Sequence, residues 1–254
     1  MDLRLKGKRA LVTGGTRGIG RAIVELLVDE GVEVAFCGRN QTGVDETLKA
    51  LSAKKARALG ASVDVADGVS LRAWVTRAAE ELGGLDIVVA NVSAGGGGRT
   101  SIDAWRQNFE VDVLGTVHTV EPALPFLEAA GGGAIVIISS TAAVEAFRVP
   151  QPYNAMKAAL INYTKNISNM WAPKKVRANS VSPGPIYVEN GGWASIKTNN
   201  PEVYKNALSQ IPLGRMGSAE EVASAVVYLC SPISEYITGA NLIIDGGFTK
   251  RVNF

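Results

Sequence analysis

Tyr153 and Lys157 stand four residues apart in Pro152-Tyr153-Asn154-Ala155-Met156-Lys157. That spacing puts both side chains on one face of a helix, one turn from each other. A free phenol, with a pKa of about 10, is a poor base at neutral pH, but a neighbouring ammonium stabilises the phenolate. Such a pair can take a proton from an alcohol or give one to a carbonyl. A Tyr–Lys pair also occurs on exposed helix faces with no chemical role, so its meaning depends on its surroundings. Upstream, the apolar run Ala134–Ser139 is followed by Ser140. A hydroxyl there, at the end of a strand, could hydrogen-bond a substrate oxygen and stabilise charge developing on it.

A second group of residues could hold the redox partner of that proton transfer. After an apolar run at Arg9–Thr13 comes Gly14-Gly15-Thr16-Arg17-Gly18-Ile19-Gly20. Glycines at 14, 18 and 20 allow a sharp turn and close approach of a ligand to the backbone. The helix that follows offers free N–H groups and its positive dipole end to a phosphate. The spacing is looser than GxGxxG, and a tight structural turn is the alternative. The next apolar run ends Phe36-Cys37-Gly38-Arg39-Asn40, without the acid that usually binds the ribose 2′-hydroxyl of NAD. Arg39 offers a planar fork for a 2′-phosphate, and Arg17 a second positive charge. The expectation is an NADP(H) site with Asn40 beside it; the alternative is that Arg39 is a solvated loop residue.

The elements that must position these groups alternate along almost the whole chain. Strand-like runs are read at Arg9–Thr13, Val32–Cys37, Ala56–Val63, Leu85–Ala90, Ala134–Ser139, Val176–Val181 and Ala240–Asp245. Helical patterns fall between them, near Gly18–Glu30, Val44–Leu51, Leu71–Leu82, Ile102–Ala129, Pro152–Trp171 and Ala219–Leu229. In the long helix, Pro122 and Pro125 are expected to kink or divide it. Such alternation implies βαβ crossovers and one parallel sheet with helices on both faces. No linker or repeat divides residues 1–254, so one dinucleotide-binding domain is expected. Pro183–Pro212 reads as an irregular insertion of the kind that forms a lid, at about 184–212.

Composition agrees with a sizeable core: 46% of the 254 residues are hydrophobic and 20% charged. The net charge of +2 gives no footprint for nucleic acid or an anionic membrane. No apolar stretch is long enough to span a bilayer, and Met1–Lys8 does not read as a signal peptide. A cytoplasmic protein is expected. Cys37 and Cys230 are far apart and read as buried reduced thiols. His118 is the one histidine and reads as a satisfied structural residue; no metal site is expected.

With these motifs in place, the chain resembles the short-chain dehydrogenase/reductase family, and in particular its 3-oxoacyl-carrier-protein reductases. The resemblance covers nearly the whole sequence, adding Asn179-Ser180-Val181-Ser182-Pro183-Gly184, Gly214-Arg215-Met216, Glu220-Glu221-Val222-Ala223 and Asp245-Gly246-Gly247. It implies a Rossmann-type, doubly wound, parallel seven-stranded sheet. The family's serine lies thirteen residues before its tyrosine, which selects Ser140 over Ser139. The resemblance also implies that Lys157 binds the nicotinamide ribose, Asp64 and Val65 flank the adenine, and Asn91 lines the groove. The Pro183–Val188 backbone, with Pro183, Gly184 and Ile186, would meet the nicotinamide amide. A homotetramer packed through the long helix and the Tyr153 helix is implied as well.

Three positions depart from the family. Its Asn-Asn-Ala-Gly appears as Ala90-Asn91-Val92-Ser93, followed by Ala94 and Gly95–Gly98. Val188 stands where a threonine is frequent. Asp112 occupies the place of an Asn that holds a water behind the lysine; it either takes that catalytic role with a changed pH profile or only satisfies a helix kink. Phe147, Val149, Pro150, Tyr187, Trp193 and Tyr204 form the expected substrate walls, or pack their own loops. An apolar, aromatic wall suits a hydrophobic or cyclic ketone or secondary alcohol. Reduction of a carrier-bound 3-oxoacyl group is the second reading, and a non-catalytic NADP(H) sensor or scaffold the third.

Overall fold

The structure, a computed structural model, describes residues 2–54, 56–96, 98–146 and 150–252. The expected wall residues Phe147 and Val149 lie outside them. Seven strands form: β1 (Arg9–Thr13), β2 (Glu33–Gly38), β3 (Ala58–Ser62), β4 (Ile87–Ala90), β5 (Gly133–Ile138), β6 (Val176–Pro183) and β7 (Asn241–Ile244). They pair in the order β3-β2-β1-β4-β5-β6-β7, and every pairing is parallel. This is the parallel sheet the alternation implied, in the doubly wound, seven-stranded form the resemblance implied.

Because successive side chains point to opposite faces, continuous apolar strands feed two cores at once. Val12, Phe36, Val136 and Ile138 enter one core, with α1 (Gly18–Asp29), α2 (Gln41–Leu51) and α9 (Ala219–Cys230) over them. Leu11, Ala35, Ile135 and Ile137 enter the other, under α3 (Gly68–Leu82), α5 (Gly115–Ala129) and α6 (Pro152–Trp171). On the first face α9 lies directly against α1. The winding direction reverses between β1 and β4, which opens a crevice at their carboxyl ends where open α/β sheets bind ligands.

The long helix departs from expectation. It runs through Pro122 and Pro125, which both lie inside α5. Its irregularity sits earlier, where a π-helical segment (Phe109–Leu114) joins α4 (Ile102–Asn108) to α5. The span 184–212 is also less irregular than read, since it contains α7 (Gly192–Asn199) and α8 (Pro201–Ser209). Neither helix buries a residue, so no apolar stripe announced them. Pro201 begins α8, where its missing N–H and fixed φ suit a first helical position.

Both cysteines are free and buried. Burial pushes each thiol up to about 12. His118 packs its ring on Gly68, where an added Cβ would come within 2.5 Å. Its Nδ1 has no hydrogen-bond partner among the described residues, so it is less satisfied than expected. Among those residues no helix is long and apolar enough to cross a membrane, and no acid, cysteine or histidine cluster could hold a metal.

Candidate active site

The glycine turn is built by close approach. Gly14 and Gly18 take φ of +70° and +55°, a region costly for residues with a Cβ. At Gly20 a Cβ would lie 2.1 Å from the Gly14 carbonyl oxygen, so the helix can start this near the turn only with glycine there. α1 opens at Arg17 with no side-chain cap. Its first-turn N–H groups are therefore left for a ligand.

Beside this turn lies a cleft of about 300 Å³, lined by Gly14, Thr16, Arg17, Arg39, Asp64, Val65 and Asn91. Seven of the expected cofactor positions are thus brought together from the ends of β1, β2, β3 and β4. Neither Arg17 nor Arg39 forms an ion pair among the described residues. Uncapped N–H groups and two unpaired guanidinium groups suit a phosphorylated dinucleotide. Asn91 braces the floor, donating from Nδ2 to the carbonyls of Thr13 at 3.2 Å and Gly14 at 3.3 Å.

Other expected positions sit differently. Gly18, Ile19 and Gly20 belong to the first turn of α1, next to the cleft rather than on its wall. Asn40 accepts from Thr42 N at 2.9 Å, so its side chain caps α2. Pro183 ends β6, and its carbonyl accepts from the Thr141 hydroxyl at 3.3 Å. Gly184 bonds Ile244 O through its N–H, while Ile186 bridges to Gly217. The cleft also has walls that motif reading missed: Cys37, Gly38, Val92, Ser93, Gln107 and Val111. Gln107 and Val111 come from the irregular end of the long helix, and no local pattern marks them. A larger cavity, about 550 Å³, opens at the opposite, amino edge of the sheet. Its polar groups are largely spent: Asp86 pairs with Lys8 and Arg9, and Arg177 donates to the carbonyls of Leu229, Ser231 and Ile237.

The candidate acid–base group forms where α6 crosses the end of β5. Lys157 is only 1% exposed and its Nζ lies 5.9 Å from the centre of the Tyr153 ring. The ammonium donates to Ile138 O at 2.9 Å, fixing it to the last residue of β5. Ser139 spends its hydroxyl on the Lys157 carbonyl at 2.8 Å. Ser140 is extended (φ −167°) and opens a 3-10 turn, Thr141–Ala143, whose Ala142 N–H its Oγ accepts at 3.1 Å. α6 packs on that turn. Of the two serines, Ser139 is therefore tied to the helix backbone, and Ser140 keeps its hydroxyl proton for another acceptor.

Asp112 comes to the same place from the π-helical segment. Its carboxylate is fully buried, with Oδ1 3.1 Å from the Lys157 Nζ. Gly96 lies against the other side of the group, where an added Cβ would sit 3.3 Å from Tyr153 Cδ1. Tyr187, Trp193 and Tyr204 gather in the span 184–212, with Tyr204 edge-on to each of the others at 6.5 Å. Lys197 sits over the Tyr187 and Tyr204 rings, at 5.4 and 5.6 Å.

Known proteins resemble this chain over nearly its whole length. The family model described as enoyl-(acyl carrier protein) reductase matches residues 14–249. Isoepoxydon dehydrogenase of Penicillium expansum is 38% identical over 255 residues, covering 98% of each chain. Cis-4-hydroxycyclohexanecarboxylate dehydrogenase of Sinomonas cyclohexanicum is 34% identical, covering 94% of this chain and 96% of its own. The L-sorbose reductase of Gluconobacter frateurii, solved with NADPH and L-sorbose, superposes with a TM-score of 0.91. It is 30% identical, over 99% of this chain and 100% of its own. The chain belongs to the short-chain dehydrogenase/reductase family.

Proposed function

We propose that the protein is an NADP(H)-dependent oxidoreductase interconverting a ketone and a secondary alcohol on a hydrophobic or cyclic small molecule. The observation that carries this reading is the buried Lys157 ammonium set 5.9 Å from the Tyr153 ring, at the sheet edge that also holds the arginine-lined cleft. The uncapped α1 turn would hold the pyrophosphate, and Arg17 and Arg39 the 2′-phosphate. Asp64 and Val65 would flank the adenine, and the backbone near Pro183, Gly184 and Ile186 would meet the nicotinamide. Bound reduced nicotinamide supplies the hydride.

In reduction, Tyr153 donates its phenolic proton to the carbonyl oxygen as that oxygen gains charge, and Ser140 donates a second hydrogen bond to it. Lys157 stabilises the phenolate left behind. In oxidation the same groups act in reverse. The aromatic span 184–212, with Tyr187 and Trp193, serves as a lid over one catalytic domain. The names of the two relatives point to alcohol oxidation, and one of those names specifies a cyclohexane ring, which supports the cyclic class. Carrier-bound acyl substrates rank second, because Glu128-Ala129-Ala130-Gly131-Gly132-Gly133, leading into β5, supplies no cation to dock an acidic carrier.

The test is a panel of cyclic and open-chain ketones and secondary alcohols, followed by nicotinamide absorbance with NADPH and NADH in parallel. Turnover that favours NADPH and cyclic substrates is the expected result. Tight NADPH binding without turnover across the panel would instead identify a sensor.

A further inference from the structure

We infer that Asp112 is a positioning residue that compensates the Lys157 charge inside the fold and so weakens the field that Lys157 exerts on the Tyr153 ring. The inference rests on the roles proposed above for Tyr153 and Lys157. Asp112 and Lys157 are 0% and 1% exposed. A buried carboxylate or ammonium is tolerated only when the opposite charge or a set of hydrogen bonds stands beside it. Here each has the other, at 3.1 Å. The contact is an ion pair rather than an aligned hydrogen bond: Asp112 Oδ1 has no hydrogen-bond partner, and the lysine donates to Ile138 O at 2.9 Å.

A neutral side chain at 112 would leave the full field of the ammonium acting on the phenolate. A carboxylate turns that monopole into a short dipole, whose effect on the phenol ring 5.9 Å away is weaker. The main-chain oxygen of Asp112 is also engaged, accepting from the Thr116 hydroxyl at 2.7 Å. Direct pairing thus occupies the ground behind Lys157.

The other carboxylate oxygen has a second use. Oδ2 accepts from Ala94 N at 3.1 Å, in the loop that replaces the family's usual sequence after β4. That loop is pinned at Asn91 to the phosphate turn and at Gly98, which donates to Gln151 Oε1 at 3.0 Å. Between those two points Ala94 is held by Asp112 and by the exposed Arg99, which donates to Ala94 O at 2.9 Å, and Gly96 beyond it faces the Tyr153 ring.

The other charges on neighbouring elements are engaged elsewhere or exposed. Asp103 and Arg106 of α4 pair with each other at the surface. Glu110 is exposed, Glu145 accepts from Lys250 N at 3.2 Å, and Arg177 of β6 binds three carbonyls at the far edge. Among the described residues Lys157 is the one ion-pair partner of Asp112.

Two measurements test the inference. In the first, alcohol oxidation with NADP+ is followed from low to high pH for the wild type and Asp112→Asn. Removing the negative charge eases formation of the phenolate, so the rising limb of the curve should move to lower pH by about one unit, a tenfold change in the proton equilibrium. Superimposable curves from two active enzymes would overturn the inference. The second needs no turnover: a thermal-unfolding cycle of Asp112→Asn, Lys157→Met and the double variant. Each single change strands a buried charge, so the double variant should melt higher than either single. Additive losses, or a double variant no better folded than the singles, would equally overturn the pairing. A wild type without turnover on any alcohol or ketone sinks the proposed function, while the cycle still decides the pairing.

Discussion

At the scale of single residues, the proposed chemistry divides between groups that move protons and groups that select the dinucleotide. Tyr153→Phe keeps the ring against Gly96 but has no proton to give. The rate should fall by about 10²–10⁴-fold, with NADPH still titrating the protein in fluorescence; a rate within a few-fold of wild type would remove Tyr153 from its role. Arg39→Ala deletes one charge-assisted contact to the 2′-phosphate. A contact of that kind is worth about 1.5–3 kcal/mol, so kcat/KM for NADPH should drop roughly 10- to 100-fold while that for NADH barely changes. Equal losses with both cofactors would show that Arg39 only braces the loop. The Tyr153–Lys157 face and the glycine turn were readable because each is local, set by four-residue and turn spacing. The placing of Asp112 behind Lys157 rested on the family resemblance and not on spacing, since the contact joins two helices through a π-helical turn whose extra residue no periodicity reveals.

At the scale of elements, strands and core-facing helices were legible to within a few residues because buried apolar runs dominate them. The failures have separate causes. α7 and α8 bury nothing, and Pro122 and Pro125 looked like breaks although the tertiary packing of α5, with Val120, Ala123, Leu124 and Leu127 buried, carries the helix through them. α9 shows the opposite case, a start visible in sequence and structure alike. Ser218 Oγ accepts from Glu221 N at 3.3 Å, and the Glu221 carboxylate accepts from Ser218 N at 2.9 Å. Hydrogen bonds from Arg215 and the Ser218 backbone hold that carboxyl at about 2, so the box stays formed through ordinary acid conditions. Ser218→Ala should lower stability in urea by about 1 kcal/mol. An unchanged midpoint would mean that water replaces the cap.

At the scale of the molecule, the two edges of the sheet do different work. The carboxyl edge gathers the cleft and the Tyr153 group; the amino edge ties strands together. There Asp86 accepts from Arg9 N at 3.0 Å and Arg9 Nε at 2.8 Å, with Lys8 at 3.3 Å. Burial works to raise this carboxyl, but the Arg9 hydrogen bonds and the charges of Lys8 and Arg9 outweigh it and hold it below the usual range. A lowered carboxyl stabilises the fold above its unfolded value, and that contribution is lost as pH falls through the folded one. Asp86→Asn should therefore cost about 2 kcal/mol at neutral pH. The gap in melting temperature between variant and wild type should shrink below a pH of about 4; a gap of constant size would contradict it.

The packing of α9 on α1 has a consequence for biosynthesis. The helix that follows the glycine turn is among the first elements made, and the helix that covers its apolar stripe, Ile23 and Leu27 included, is among the last. A nascent chain stopped short of residue 219 presents that stripe uncovered, a natural target for a chaperone and a seed for aggregation. Ribosome-bound chains of increasing length should thus gain protease resistance around α1 only once α9 has emerged. The proposed capture of a dinucleotide would then be a late event in the making of the protein, even though the glycine turn is written near the start.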